Sequence, residues 1–150
     1  MPKLVIMRGL PGSGKSTYIE ANYTDVIVCS ADYFFEDKAR EQKSTYTKVF
    51  DPRELLDAHE NCKRDFMIAL CAGSDIVIDN TNTRLAEYKN YMLMADLFGE
   101  EDYDIEIIET PCPDLETVKK YHERNTHGVP YQTMCDMFAR WEPDPRARSV

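Results

Sequence analysis

Long apolar runs, paired cysteines and basic charge are all scarce in this 150-residue chain. No stretch approaches the roughly 20 apolar residues that a bilayer-spanning helix needs, so no membrane span is expected. The opening MPKLVIMRGLPG lacks the charged start and long apolar stretch of a secretory leader, and the protein is read as soluble and unsecreted. The five cysteines, Cys29, Cys62, Cys71, Cys112 and Cys135, are odd in number and form no C-x-x-C pair. That excludes a disulfide framework or zinc knuckle as the natural reading and fits a reducing cytoplasm. With 18 Lys and Arg against 27 Asp and Glu, the net charge is −9. The chain therefore has no global pull on a phosphate backbone, and any nucleic-acid site must be local. Internal repeats, low-complexity segments and an Asn-Lys-x-Asp guanine motif are also absent, the last favouring ATP over GTP.

What is present suits a single folded unit: hydrophobic content of 43% is enough for one core at this length. Lys3 to Arg8 is nearly continuous apolar, the mark of a strand buried on both faces of a parallel sheet. A helix follows over Ser16 to Asn22, then a short strand over Asp25 to Ser30. Residues 36–50 are polar and weakly periodic and read as a mobile surface segment. A helix is expected from Asp51-Pro52 to near Ala72, a third strand over Asp75–Asp79, and a helix from Arg84 to Phe98 closed by Gly99. A fourth strand over Ile105–Ile108 precedes a helix from Pro113 and a last one running to near Trp141. This alternation predicts an α/β fold, a P-loop NTPase-type three-layer sandwich with about four parallel strands and a helical lid. Residues 1–142 would form the domain and 143–150, rich in proline, a loose tail.

Between the first strand and helix stands Gly9-Leu-Pro-Gly-Ser-Gly-Lys-Ser-Thr17, a full match to G-x-x-x-x-G-K-[ST] in its proper strand-to-helix setting. Gly9, Pro11, Gly12, Ser13, Gly14 and Thr17 are read as the phosphate loop, whose backbone N–H groups cradle the β-phosphate at a positive helix end. Lys15 supplies a point charge toward the β- and γ-phosphates, and Ser16 a hydroxyl for Mg2+. The second strand delivers Asp32 to the same sheet edge, where it is placed either to accept a proton from an acceptor hydroxyl or to cap a helix. Asp79 ends the third strand as a Walker B acid would, and is taken with Ser16 as a metal ligand. Asn80 and Asn82, in the turn that follows, are candidate substrate contacts, with an ordinary Asx-turn as the alternative.

Lys119, Lys120, His122, Arg124, His127 and Arg140 form a cationic clustering in the C-terminal half, answered by Asp114, Glu116, Glu123 and Asp136. Lys119 and Lys120 read equally as a solvated face. Arg124, just before Gly128-Val-Pro130, is placed to swing over the nucleotide as a lid arginine. His59 and Cys62 lie three apart on one helix, but two ligands without partners read as a packed helix face. Met92, Met94, Met134 and Met137 read as core filler, and Trp141 as the cover of a helix end or a base-stacking surface.

The P-loop, Ser30-x-Asp32, Asp79-Asn-Thr-Asn82 and Arg124-Asn-x-His127-Gly-Val-Pro130 together resemble the P-loop kinase family that includes phage and animal polynucleotide 5′-kinases, over about residues 3 to 142. Within it the chain is similar to the kinase-like domain of mammalian ubiquitin-ligase-binding homologues, which share Ala58-His59-x-x-Cys62 and the Asp79–Asn82 turn. The resemblance implies that Lys15 and Ser16 bind ATP·Mg2+, that Asp32 is the general base and that Arg124 is the lid arginine. It implies transfer of the γ-phosphate to a hydroxyl, the 5′-OH of a short or single-stranded DNA or RNA. A small metabolite, nucleoside or modified base is the alternative acceptor, and a nucleotide-dependent switch displaying residues 36–50 the alternative class. The sequence departs from the phage pattern at Asn80, where the phage enzyme has an aspartate, and at Phe35, where it has the arginine that grips the acceptor phosphate. The short Asn125–Gly128 loop also lacks the phage lid's second arginine.

Overall fold

A computed structural model describes residues 1–150. At its centre lies β1 (Lys3–Arg8), in which every residue from Leu4 to Arg8 is buried. A strand covered on both faces has no side to leave polar, which is why its sequence runs apolar without alternation. It pairs in parallel with β3 (Ile76–Asp79) on one side and β4 (Asp104–Glu109) on the other. The short β2 (Ile27–Cys29) pairs with β3, and β5 (Arg148–Ser149) with β4, giving the parallel order β2-β3-β1-β4-β5.

Side chains along β1 sort strictly by parity. Leu4 and Ile6 join Ile76 and Ile78 against Cys62, Phe66 and Leu70 of α4 (Leu55–Cys71) and Tyr88, Tyr91 and Ala95 of α5 (Leu85–Phe98). Val5 and Met7 join Val77 and Ile108 on the opposite face, against Ile19 of α1 (Lys15–Asn22). Burying each such side chain contributes about 1.5–3 kcal/mol, so these two clusters hold the three layers together. A further cluster, Leu10, Val118 and Met134, seats α6 (Leu115–Arg124) and α7 (Tyr131–Ala139) on the phosphate-loop end. Asp114 caps α6 by accepting from the Thr117 N–H at 2.8 Å. Strands β2, β3 and β1 are neighbours, so their carboxyl ends bring Asp32, Asp79 and the loop after Arg8 to one edge.

Two stretches differ from the sequence reading. Residues 36–50, expected as a mobile segment, are largely helical: α2 (Asp32–Glu41) continues to Glu41 and α3 (Tyr46–Val49) follows, capped by Thr45. Only Ala39 and Val49 of this stretch are buried, packed with Phe35 and with Ala58 of α4, and so small an apolar minority hid the helical period. Residues 143–150, expected as a loose tail, supply the fifth strand. Asp144 anchors them, accepting from the Tyr88 hydroxyl at 2.6 Å and from Arg146 at 2.8 and 3.0 Å. Those partners hold the Asp144 carboxyl well below the usual carboxylate range, Arg146 most of all. Gly99 does end α5, but with φ −63° it is no left-handed cap; its hydrogen makes room for the Ala95 and Glu101 carbonyls instead.

A charge at the end of β1 carries much of the local architecture. The Arg8 guanidinium is fully buried and donates to the carbonyls of Asn82 (2.9 Å), Thr83 (3.1 Å) and Glu142 (2.6 Å). Its carbon sits 4.3 Å from the Trp141 ring centroid and 5.0 Å from that of Tyr88, while Glu109 lies 3.6 Å from Nη1. Trp141 is thus the lid of a buried cation, and one arginine bolts β1, the turn after β3 and the C-terminal chain into one piece.

Candidate active site

The loop from Gly9 to Gly14 turns by two left-handed residues, Gly12 at φ 76° and Gly14 at φ 96°. A Cβ on Gly12 would also collide with the backbone carbonyl of Tyr121 in α6, so this glycine is required twice over. Lys15 opens α1 and curls back, its Nζ donating to the carbonyls of Gly9 at 2.8 Å and Leu10 at 3.2 Å. Burial pushes its ammonium down, while the Asp79 and Asp32 charges oppose that shift. Ser13 shares a 2.6 Å hydrogen bond with Thr110, whose hydroxyl also donates to the Arg8 carbonyl at 3.3 Å, tying the loop to the end of β4. Pro11 is half-buried in the loop, and Ser16 and Thr17 are exposed at the helix start, where backbone N–H groups are free to meet a phosphate.

Asp79 ends β3 half-buried beside this helix. Burial raises its carboxyl, the Asp32 charge adds to that, and Lys15, the Ser16 hydroxyl and His127 pull it back down. Two hard oxygen donors at a desolvated acid suit Mg2+, which keeps several waters and takes only one or two protein ligands besides phosphate. No group of three or more His, Cys, Asp or Glu residues is arranged to hold a metal elsewhere.

Asp32 is the first residue of α2, its N–H donating to the Ser30 hydroxyl at 3.2 Å. Its side chain is 46% exposed, with Oδ1 accepting from the Tyr46 hydroxyl at 2.6 Å and Oδ2 3.5 Å from His127 Nδ1. The next turn of α2 sets Glu36 Oε1 3.1 Å from His127 Nε2. Neither Tyr46 nor Glu36 was singled out from sequence, and His127 was noted only in the C-terminal cationic clustering and the Arg124–Pro130 motif, with no role assigned. The i, i+4 spacing of Asp32 and Glu36 was readable, but its meaning depended on a histidine more than 90 positions away.

The turn between α6 and α7 leans over this edge. Asn125 shapes it, its amide donating to the Val129 carbonyl at 3.1 Å and its Oδ1 accepting from the His127 N–H at 2.9 Å. Gly128, at φ 68°, lies against Thr47 of α3. Arg124 leads into this turn with its guanidinium carbon 5.0 Å from the Tyr121 ring, exposed and beside the segment that touches Gly12.

Residues 4–143 match the family described as an AAA domain. The chain belongs to that family. Human NEDD4-binding protein 2 is 31% identical over 147 residues, a match covering 93% of this chain and 8% of that protein. A chain of a solved Pnkp1/Rnl/Hen1 complex is 25% identical with a TM-score of 0.56, over 79% of this chain and 38% of that one. A solved sugar kinase from Janibacter is similar in fold, at 15% identity and TM-score 0.62, over 100% of this chain and 84% of that one. This AAA domain therefore has a P-loop kinase-like fold, and it spans less than half the length of the first two relatives. No helix is long and apolar enough to cross a membrane.

Several expected site residues have other work in this AAA domain. Asn82 is 2% exposed at φ 47°, with its amide donating to the Met7 carbonyl at 2.8 Å and its own carbonyl taken by Arg8. Through these bonds it braces the P-loop strand. The Asn80 Oδ1 accepts from the Ala31 N–H at 2.9 Å, fixing the start of α2 and hence Asp32. Phe35, where the phage enzyme has its phosphate-gripping arginine, is buried against Phe50 at a ring distance of 4.9 Å. Arg140 donates to the Thr83 hydroxyl at 3.0 Å, and Lys119 and Lys120 are exposed. Cys62 is buried and accepts from the Tyr91 hydroxyl at 3.3 Å while His59 is exposed, so the pair shares no ligand.

Proposed function

We propose that this AAA domain is an ATP-dependent kinase that transfers the γ-phosphate to a hydroxyl, and that the acceptor is the 5′-OH of a short or single-stranded nucleic acid. One observation carries the reading: a half-exposed carboxylate, Asp32, lies at the same sheet edge as the phosphate loop, where its charge acts on Lys15 and Asp79. Phosphoryl transfer asks a protein mostly to position the nucleophile and stabilise charge, and this edge is equipped for both. The loop N–H groups and Lys15 hold the β- and γ-phosphates. Asp32 accepts the proton of the acceptor hydroxyl as its oxygen forms a bond to the γ-phosphorus. The bond from that phosphorus to the β-γ bridging oxygen breaks, and ADP leaves with the electron pair. Arg124, in the turn between α6 and α7, would meet the charge on the transferred group. Ser16 and Asp79 would hold the Mg2+, which when bound neutralises phosphate charge.

The nucleic-acid acceptor rests on the resemblance to polynucleotide kinases and on the similarity to the Pnkp1-containing structure. The burial of Phe35 and the net charge of −9 favour a small acceptor footprint. Those same two facts, with the sugar kinase likeness in fold, support a small-molecule hydroxyl as the second reading. Labelled γ-phosphate from ATP and Mg2+ should appear on 5′-OH single-stranded DNA or RNA in a panel that also holds nucleosides and sugars. Label on the small molecules alone selects the second reading, and label on nothing defeats both. Asp32→Asn should lower transfer at least about 100-fold while calorimetry finds ATP affinity unchanged.

A further inference from the structure

A general base is useful only if its lone pair is aimed, and Asp32 sits on the exposed first turn of a helix where its side chain would otherwise rotate freely. Two elements from distant parts of the chain take up both of its oxygens. Tyr46, first residue of α3, donates its hydroxyl to Oδ1 at 2.6 Å. His127, on the lid turn, sets Nδ1 3.5 Å from Oδ2 and Nε2 3.1 Å from Glu36. The imidazole lies flat on the Tyr46 ring, centroids 4.1 Å apart and planes within 24°. Tyr46 is backed in turn by Phe50, stacked at 5.8 Å, and by Phe35, edge-on at 5.7 Å. Burial and the Asp32 charge push the Tyr46 phenol up, so it stays a donor.

We propose that Tyr46 and His127, the latter anchored by Glu36, are positioning residues that hold the Asp32 carboxylate at one angle toward the acceptor hydroxyl. The inference rests on the kinase reading above. It also links base to lid: His127 stands three residues beyond Arg124 on the same turn, so one seating of that turn on α3 places both Arg124 and the clamp on the base. Misplacement of a reacting group by about 1 Å can cost about 100-fold, which is the scale such a clamp protects.

The test uses the full chain with ATP, Mg2+ and the acceptor that labels best in the panel. Tyr46→Phe keeps the stack and deletes one hydroxyl; kcat should fall about tenfold with the KM for ATP unchanged, the effect of one hydrogen bond to a charged group. His127→Ala should do at least as much. Glu36→Gln, which still offers an oxygen to the ring, should restore most of the activity that Glu36→Ala loses. In chemical denaturation, the midpoint shift of Asp32→Asn combined with Tyr46→Phe should be smaller than the two single shifts added, because both delete the same contact. Additive midpoints, or variants that turn over like the parent protein, overturn the clamp while leaving the kinase intact. A parent protein that labels no acceptor, with midpoints that still couple, breaks the kinase reading and reduces the contact to a structural brace, which also overturns the positioning role.

Discussion

Two charged clusters lie at the carboxyl ends of the same parallel strands, and they are built in opposite ways. Around Arg8, one cation is sealed between two aromatic rings and meets three carbonyls and an acid, so nearly every polar atom has a partner within the protein. Around Lys15, the ammonium turns back on its own loop, and burial drives both it and Asp79 toward their uncharged forms. The first cluster is satisfied as folded except at Arg8 Nη1, which is buried with Glu109 at 3.6 Å and no hydrogen bond. In the second, the mutual attraction of cation and acid offsets their burial only in part, a perturbation of the kind that clusters at functional sites more than at structural ion pairs.

Substitutions should separate the two. The largest stability effect is expected from Arg8→Met, which removes the donor to the Asn82, Thr83 and Glu142 carbonyls, of which Thr83 keeps the Glu142 N–H, and leaves Glu109 without its cation; denaturation should show a loss of about 3 kcal/mol or more. A loss below about 1 kcal/mol would mean that the cluster is not the bolt described here.

Asp79→Asn should go the other way, raising the melting temperature while weakening Mg2+-dependent nucleotide binding. The Asp79 carboxyl is raised in the folded state, so its favourable contribution is present below the unfolded value of about 3.9 and is lost as pH rises through the folded value. The gain from the substitution should therefore grow from acid to neutral pH. A variant less stable than the parent at pH 7 would contradict a desolvated acid there.

The smallest effect is expected at the tail. Asp144 is held low by Arg146 and Tyr88, so its contribution is present above about 3.9 and fades as pH falls through the folded value. Asp144→Asn should lower the melting temperature by a few degrees at neutral pH and by progressively less in acid. A constant difference across pH would assign the anchor to packing rather than charge.

The division between sequence and structure follows the same line. The P-loop was readable because its chemistry is local: glycine spacing, the lysine and the strand-to-helix setting all lie within nine residues. Strands β1 and β3 were readable because burial on both faces writes a continuous apolar run. The helices of residues 36–50 were hidden because two buried side chains, Ala39 and Val49, leave too little period to see, and β5 because two residues carry no pattern at all. Asn82 reads from sequence equally as a substrate contact or as an Asx-turn residue, because a polar side chain at a sheet edge looks the same whether it meets a ligand or the Met7 carbonyl.

By itself, then, the sequence determined the parallel α/β layering and the phosphate cradle, since both depend on composition and spacing within short windows. Tertiary structure alone decided which polar residues are spent inside the fold, as Arg8, Asn80 and Asn82 are, and which gather about Asp32, as Tyr46, Glu36 and His127 do. Pairings across some 75 to 135 positions, such as Arg8 with Asn82 and Glu142, arise only when packing brings distant segments together, and no local pattern encodes them.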